Sequence, residues 1–266
     1  MAKQRLDQLL VALGHFPSRE RAQGAIMAGL VKVGDAVVTK SGQAVADDAP
    51  ITVLGQPHPY VSRGALKLER ALEVFGVDPA GRVVLDAGAS TGGFTDLVLK
   101  RDAKHVYAVD VGYGQLAWSL RQDERVTVRE RTNVRYMTPE DLGDRPSLIV
   151  ADLSFISLGK VLPAFAALLA PGGEAVTLVK PQFEAGREAA KGGVVRDAKV
   201  HQRVIEAVAE SAKSVGWELV GITHSPIKGP EGNMEFLAHW KPAPAEPVGP
   251  AAITEAVRRA HEELNA

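Results

Sequence analysis

Leu6, Leu9, Leu10 and Leu13 recur at helical spacing over residues 4–13, and Gly14 follows as a stop. Ser18 stands where an N-cap belongs, ahead of a second helix with Ala22, Ala25 and Ile26 on one face and Gly29 at its end. Val31 and Val33, a Gly34-Asp35 turn, then Val37 and Val38 predict a short hairpin, and residues 51–54 a further strand. A unit of roughly 55 residues has only a small core, so it reads as a binding module and not as an enzyme. Gln56-Pro-His-Pro59 is stiff and poor in hydrogen-bond donors, which marks a domain boundary.

A helix running from a Ser62 cap to Phe75 should bury Leu68, Leu72 and Phe75 and turn Lys67 and Arg70 to another face. Beyond it, strands are expected at 83–87, 105–110, 126–130, 147–152, 174–180 and 217–224. Helices are expected at 93–101, 115–121, 158–169 and 198–215. Such alternation predicts an α/β architecture, a parallel sheet covered on both faces. A last strand at 233–240 follows a short turn at 229–232, so it should pair antiparallel with its neighbour. A proline-rich stretch, Pro242 to Pro247, leads to an amphipathic helix from Ile253. The expected domains are 1–58, 59–242 and a terminal segment at 243–266.

The composition narrows the chemistry. There is no cysteine among the 266 residues, which excludes disulfides, cysteine-ligated zinc and thiol catalysis. The N-terminus is charged where a signal peptide needs apolar residues, and no apolar run approaches the ~18 residues of a membrane span. The expectation is a soluble, cytoplasmic protein with no membrane partner and no metal site. Net charge is −1, but it is unevenly spread. Residues 1–45 carry six basic side chains against three acidic ones, and residues 180–203 do the same. Two local basic segments on a neutral chain suit a protein that grips a polyanion at defined places, or two solvated helical faces.

Val83-Val-Leu-Asp-Ala-Gly-Ala-Ser-Thr-Gly-Gly-Phe94 is a buried strand, a glycine turn and a helix start. The spacing departs from the dinucleotide pattern, because Ala89-Ser90-Thr91 interrupts it. Asp86 closing the strand would repel a pyrophosphate but suits the cationic methionine end of S-adenosylmethionine. Gly88, Ser90, Thr91, Gly92 and Gly93 form the turn. Asp110 closes the next strand, where it can accept hydrogen bonds from ribose hydroxyls.

Lys67, Asp152, Lys180 and Glu235 sit on or beside these elements. Alone, each has a plain structural reading: a solvated helix lysine, a turn cap, a strand-end charge, a solvent-facing acid. Together they suit methylation of a sugar hydroxyl, which needs oxygen, methyl carbon and sulfur aligned and one proton removed. A lysine can take that proton once its pKa falls well below ~10.4, and burial or a second ammonium pushes it down. Lys180 ends a buried strand, Lys67 supplies a neighbouring charge, Asp152 lies beside the expected cofactor, and Glu235 can orient a lysine. Phe155 and Phe183 each follow a reaction-site residue by three positions and either stack on a splayed-out base or pack in the core.

Arg5-Leu-Asp-Gln-Leu-Leu10, Ser18-Arg-Glu-Arg-Ala22 and Gly29-Leu-Val-Lys-Val-Gly34 resemble the S-four (S4) RNA-binding domain. The resemblance implies phosphate contacts by Arg19, Arg21 and Lys32, with Arg5 and Arg63 as further RNA-binding candidates. Ser62-Arg-Gly-Ala65, Asp86 to Thr95, Asp110 to Trp118, Glu130-Arg-Thr-Asn133, Ala151 to Ser157 and Val179-Lys-Pro-Gln-Phe-Glu184 look like the TlyA family. That family joins an S4 domain to a methyltransferase domain similar to FtsJ. It implies a Rossmann-like methyltransferase sheet, S-adenosyl-L-methionine as cofactor, and 2′-O-methylation of cytidine in ribosomal RNA on ribosomal subunits. Related enzymes use a Lys-Asp-Lys-Glu tetrad, which matches Lys67, Asp152, Lys180 and Glu235.

Three rivals remain at this level. Asp152-Leu-Ser-Phe155 loosely fits a base-nitrogen methyltransferase, which would not need Lys180. A non-catalytic ribosome-assembly factor would not need an intact cofactor turn. A membrane-active toxin is disfavoured by the balanced charges of the terminal helix.

Overall fold

The structure is a computed structural model that describes residues 3–16, 18–27, 29–54 and 58–265, with the side chains of Arg187, Glu188 and Lys191 set aside. Gln56 and Pro57 of the expected linker lie outside the described residues. The chain forms two compact units, Met1–Pro59 and Tyr60–Ala266.

In the first unit, β1 (Lys3–Arg5) leads into α1 (Leu6–Ala12), followed by α2 (Arg19–Met27), β2 (Val31–Val33), β3 (Ala36–Val37), β4 (Ala44–Ala46) and β5 (Ile51–Val53). Strands order as β3-β2-β5 in one sheet, while β1 pairs antiparallel with β4. The helical leucines do what their spacing predicts: Leu6, Leu9 and Leu10 pack with Ala22, Ala25, Ile26 and Val31. Leu13 instead lies exposed, because α1 ends at Ala12. The β1–β4 pairing carries no alternating apolar signal in its three residues per strand.

The second unit opens with α3 (Ala65–Phe75), starting two residues after the expected cap-adjacent turn. Gly76 ends it in the left-handed conformation at φ 66°, which glycine adopts without a Cβ penalty. Strands and helices then alternate: β6 (Val83–Ala87), α4 (Gly93–Lys100), β7 (His105–Val109), α5 (Trp118–Arg121), β8 (Val126–Arg129), β9 (Leu148–Ala151) and α6 (Leu162–Leu168). Next come β10 (Glu174–Val179), α7 (Pro181–Glu184), α8 (Gly186–Ala189), α9 (Ala198–Lys213), β11 (Trp217–His224), β12 (Phe236–Pro242) and α10 (Pro250–Leu264). The seven-stranded sheet has the order β11-β12-β10-β9-β6-β7-β8. The central strands are parallel, and β12 runs antiparallel between β10 and β11.

Both sheet faces are covered, which is why β6 is apolar throughout except for Asp86. One face packs α3, α4 and α5 through Leu68, Leu72, Leu97 and Leu120. The other packs α6, α9 and α10 through Phe165, Ile205 and Val257, so the C-terminal helix belongs to this unit's core. Each such leucine, fully buried, contributes about 1.5–3 kcal/mol. Register fixes the functional edge. Ala151 pairs with both Ala87 and Thr177, and Val179 pairs with Phe236. The next residues along, Asp152, Lys180 and the preceding Glu235, therefore meet at one rim, the carboxyl ends of the parallel strands.

Candidate active site

Lys67 does not turn away from the core as its helix position suggested. Its side chain is 8% exposed, and Nζ lies 2.6 Å from Glu235 Oε2 and 3.5 Å from Asp152 Oδ2. Burial lowers its pKa, but Asp152 and Glu235 together outweigh that, so the net direction is upward and the ammonium stays charged. Lys67 therefore stands as a charged partner of two carboxylates.

Lys180 Nζ donates to Ser154 Oγ at 3.0 Å and sits 2.6 Å from Asp152 Oδ1. That second contact is an ion pair without hydrogen-bond alignment, because Asp152 Oδ1 has no aligned donor. Asp152 thus bridges the two lysines. Glu235 is 1% exposed and backed by Gly229, where a Cβ would stand 2.7 Å from Glu235 Oε1.

The glycine turn closes one side of the cavity. Gly88 has φ 85°, and a Cβ there would lie 2.6 Å from the Asp152 carbonyl oxygen, so only glycine lets the two strand ends approach. The cavity has a volume of about 300 Å³. Gly88, Ala89, Ser90, Thr91 and Gly93 line it, together with Arg63, Lys67, Asp152 and Lys180. Ser62, Ser154, Lys228 and Pro230 also line it; sequence reasoning gave none of these a role at the site. Ser62 and Ser154 stood in the motif strings without a stated role at the site, and Pro230 lies in the stretch 229–232 that reads as a plain turn.

Three expected cofactor residues do not line the cavity. Asp86 lies fully buried beneath the turn, where its Oδ2 accepts from Thr95 Oγ1 at 2.6 Å. Burial, partly offset by Thr95, pushes its pKa up to about 7. Gly92 serves packing, since a Cβ would strike Leu120 and Leu116. Asp110 accepts from Ser90 N at 2.8 Å and Gly112 N at 2.6 Å, so it shapes the turn. Asp86 therefore does not face a cationic methionine end as expected, and the glycine turn with the Asp152 carboxylate at the cavity is what fits a cationic sulfonium nucleotide.

Phe155 is 91% exposed, and its ring lies 5.1 Å from that of the half-buried Phe183. Neither joins the hydrophobic core. Arg63 is exposed at the cavity mouth.

In the first unit, Arg5 makes two hydrogen bonds to Asp7 at 3.0 and 2.9 Å, and Arg19 reaches the same carboxylate at 3.3 Å. Asp7 is fully buried, and Arg5 above all holds its pKa far below the usual carboxylate range. Arg5 and Arg19 are therefore framework partners of a buried acid, which the sequence pattern did not disclose. Arg21 and Lys32 have no carboxylate partner among the described residues and are partly exposed.

Comparison with known proteins gives the family of both units. The FtsJ-like methyltransferase model matches residues 60–241, and the S4 domain model residues 4–49. The 16S/23S rRNA (cytidine-2'-O)-methyltransferase TlyA of Mycobacterium tuberculosis is 48% identical over 261 residues, 97% of each chain. A candidate rRNA methyltransferase of Bacillus subtilis, YqxC, is 52% identical over 239 residues, 89% of this chain and 85% of its own. The solved structure of a candidate hemolysin from Streptococcus thermophilus has a TM-score of 0.80 at 45% identity, covering 100% of this chain and 98% of its own. Among the described residues no helix is long and apolar enough to cross a membrane.

Proposed function

The chain belongs to the TlyA family, an S4 domain joined to an FtsJ-like methyltransferase domain, and from that premise we propose that it methylates the ribose 2′-oxygen of cytidine in ribosomal RNA. The observation that carries this reading is the chain of charges Glu235–Lys67–Asp152–Lys180 at the cavity. S-adenosyl-L-methionine, the donor, would be held by Gly88, Ala89, Ser90, Thr91 and Gly93, and would supply an electrophilic methyl group. Asp86, Gly92 and Asp110 act behind these residues by shaping the turn.

Once deprotonated, Lys180 would accept the proton of the ribose hydroxyl while the oxygen takes the methyl group and the donor's sulfur keeps the electron pair of the broken carbon–sulfur bond. Asp152 keeps that amine in place and stabilises the ammonium formed. Lys67 anchors Asp152, and Glu235 balances Lys67, so the constellation is pre-set before substrate arrives. Phe155 and Phe183 offer a stacking surface for the base, and Arg63 a phosphate contact. Arg21 and Lys32, without a carboxylate partner among the described residues, meet RNA phosphates, and Arg5 and Arg19 are set by Asp7. Acting on ribosomal subunits, the enzyme works in the cytoplasm.

The test is methyl transfer from radiolabelled donor to separated small and large subunits, with nuclease mapping. Label at a cytidine 2′-oxygen is expected; label on a base nitrogen, or none on either subunit, overturns the reading. Lys180→Ala should lower transfer by about 10²–10⁴-fold with donor binding intact.

A further inference from the structure

Ser154 is an exposed serine with no apparent duty, yet its Oγ receives the one aligned hydrogen bond that Lys180 Nζ makes among the described residues. A neutral amine has two N–H bonds and one lone pair at tetrahedral corners. With one N–H fixed on Ser154 and the charge of Asp152 drawing a second toward Oδ1 without hydrogen-bond alignment, rotation about the terminal bond is restricted. The lone pair is then confined to the remaining corner.

The segment carrying Ser154 is itself held in shape. Phe155 has φ 63°, a left-handed conformation costly for an aromatic residue and kept only where surroundings enforce it. Ser157 Oγ donates to Glu184 Oε2 at 2.7 Å, and Leu158 N donates to Glu184 Oε1 at 2.7 Å. Glu184 closes the short helix that begins just after Lys180. One carboxylate therefore locks the Ser154 segment to the Lys180 segment.

We propose that Ser154 is the positioning residue for the Lys180 amine, fixing its rotation so that the lone pair faces the ribose hydroxyl. This rests on the methyl-transfer reading above. Aspartate alone does not suffice, because its contact is strong in charge and poor in direction.

The experiment compares full-length wild type, Ser154→Ala and Ser154→Thr in two assays, after thermal melts show all three folded. In the first, without substrate, limiting acetic anhydride acetylates amines and mass spectrometry reports Lys180 relative to Lys67. Ser154→Ala should raise Lys180 labelling about 3-fold or more, the scale of one lost hydrogen bond, and Ser154→Thr should return it to the wild-type level. In the second, methyl transfer to ribosomal subunits, Ser154→Ala should lower kcat about 10-fold with KM for donor and subunits unchanged, and threonine should restore it. Unchanged labelling, an unchanged kcat, or no rescue by threonine overturns the proposal. Should wild type transfer no methyl group, the functional reading falls while the labelling still decides the role of Ser154.

Discussion

Lys67 Nζ and Glu235 Oε2 meet at 2.6 Å although 168 positions separate them, and both side chains are nearly closed to solvent. The pair joins α3 to the entry of β12 and thereby fixes one wall of the cavity. Removing one member strands the other charge, whereas removing both does not. Glu235→Gln should therefore cost about 3 kcal/mol in urea unfolding, and Lys67→Met/Glu235→Leu clearly less than the sum of the single changes. Additive losses would show that the two side chains do not act as a pair.

Gly88 is required by approach and not by flexibility. At φ 85° with the Asp152 carbonyl 2.6 Å from where a Cβ would sit, alanine has to push β6 and β9 apart at their functional ends. Gly88→Ala should abolish donor binding in calorimetry while leaving most helical circular dichroism. Gly114→Ala is a useful comparison, because its φ is also positive but nothing lies within 4 Å. It should bind donor nearly normally.

The buried Asp86 makes stability depend on pH in a defined window. Its folded pKa, pushed up to about 7 by burial, exceeds the unfolded value near 3.9. Between about pH 4 and pH 7 the native state keeps a proton that the unfolded chain has released, so stability falls as pH rises. His201 acts in the opposite sense: burial lowers its pKa, and stability is lost as pH falls below about 6.5. Comparing Asp86→Asn with wild type isolates the first effect. The difference in melting temperature should move in favour of the variant from pH 5 to pH 7.5; a flat difference would refute the buried-acid account.

Arginines of the first unit separate into two classes. Arg5 satisfies a fully buried carboxylate, while Arg21 has no such partner among the described residues. Arg5→Ala should lower the melting temperature of the first unit and weaken RNA binding only as a consequence. Arg21→Ala/Lys32→Ala should leave melting unchanged and weaken RNA binding, with a shallower salt dependence. Equal melting losses for both variants would dissolve the distinction.

Periodicity and turn residues, read from the sequence, determined most of the second unit: the strands at 83–87 and 217–224 coincide with β6 and β11, and the antiparallel last strand is β12. These are local properties, because a side chain's burial follows the repeat of its own helix or strand. Asp152 and Lys180 stood out in the sequence within motif strings, whereas Lys67 and Glu235 were reached through the resemblance to a Lys-Asp-Lys-Glu tetrad. Tertiary structure alone decided where charges end up. Lys67 became buried because α3 lies against β12; Arg5 and Arg19 were taken by Asp7; Asp86 sank beneath its own turn. The β1–β4 pairing escaped notice because three-residue strands carry too little pattern. Charge pairing depends on which strands become neighbours, and the insertion of β12 between β10 and β11 is a global packing outcome that no local window contains.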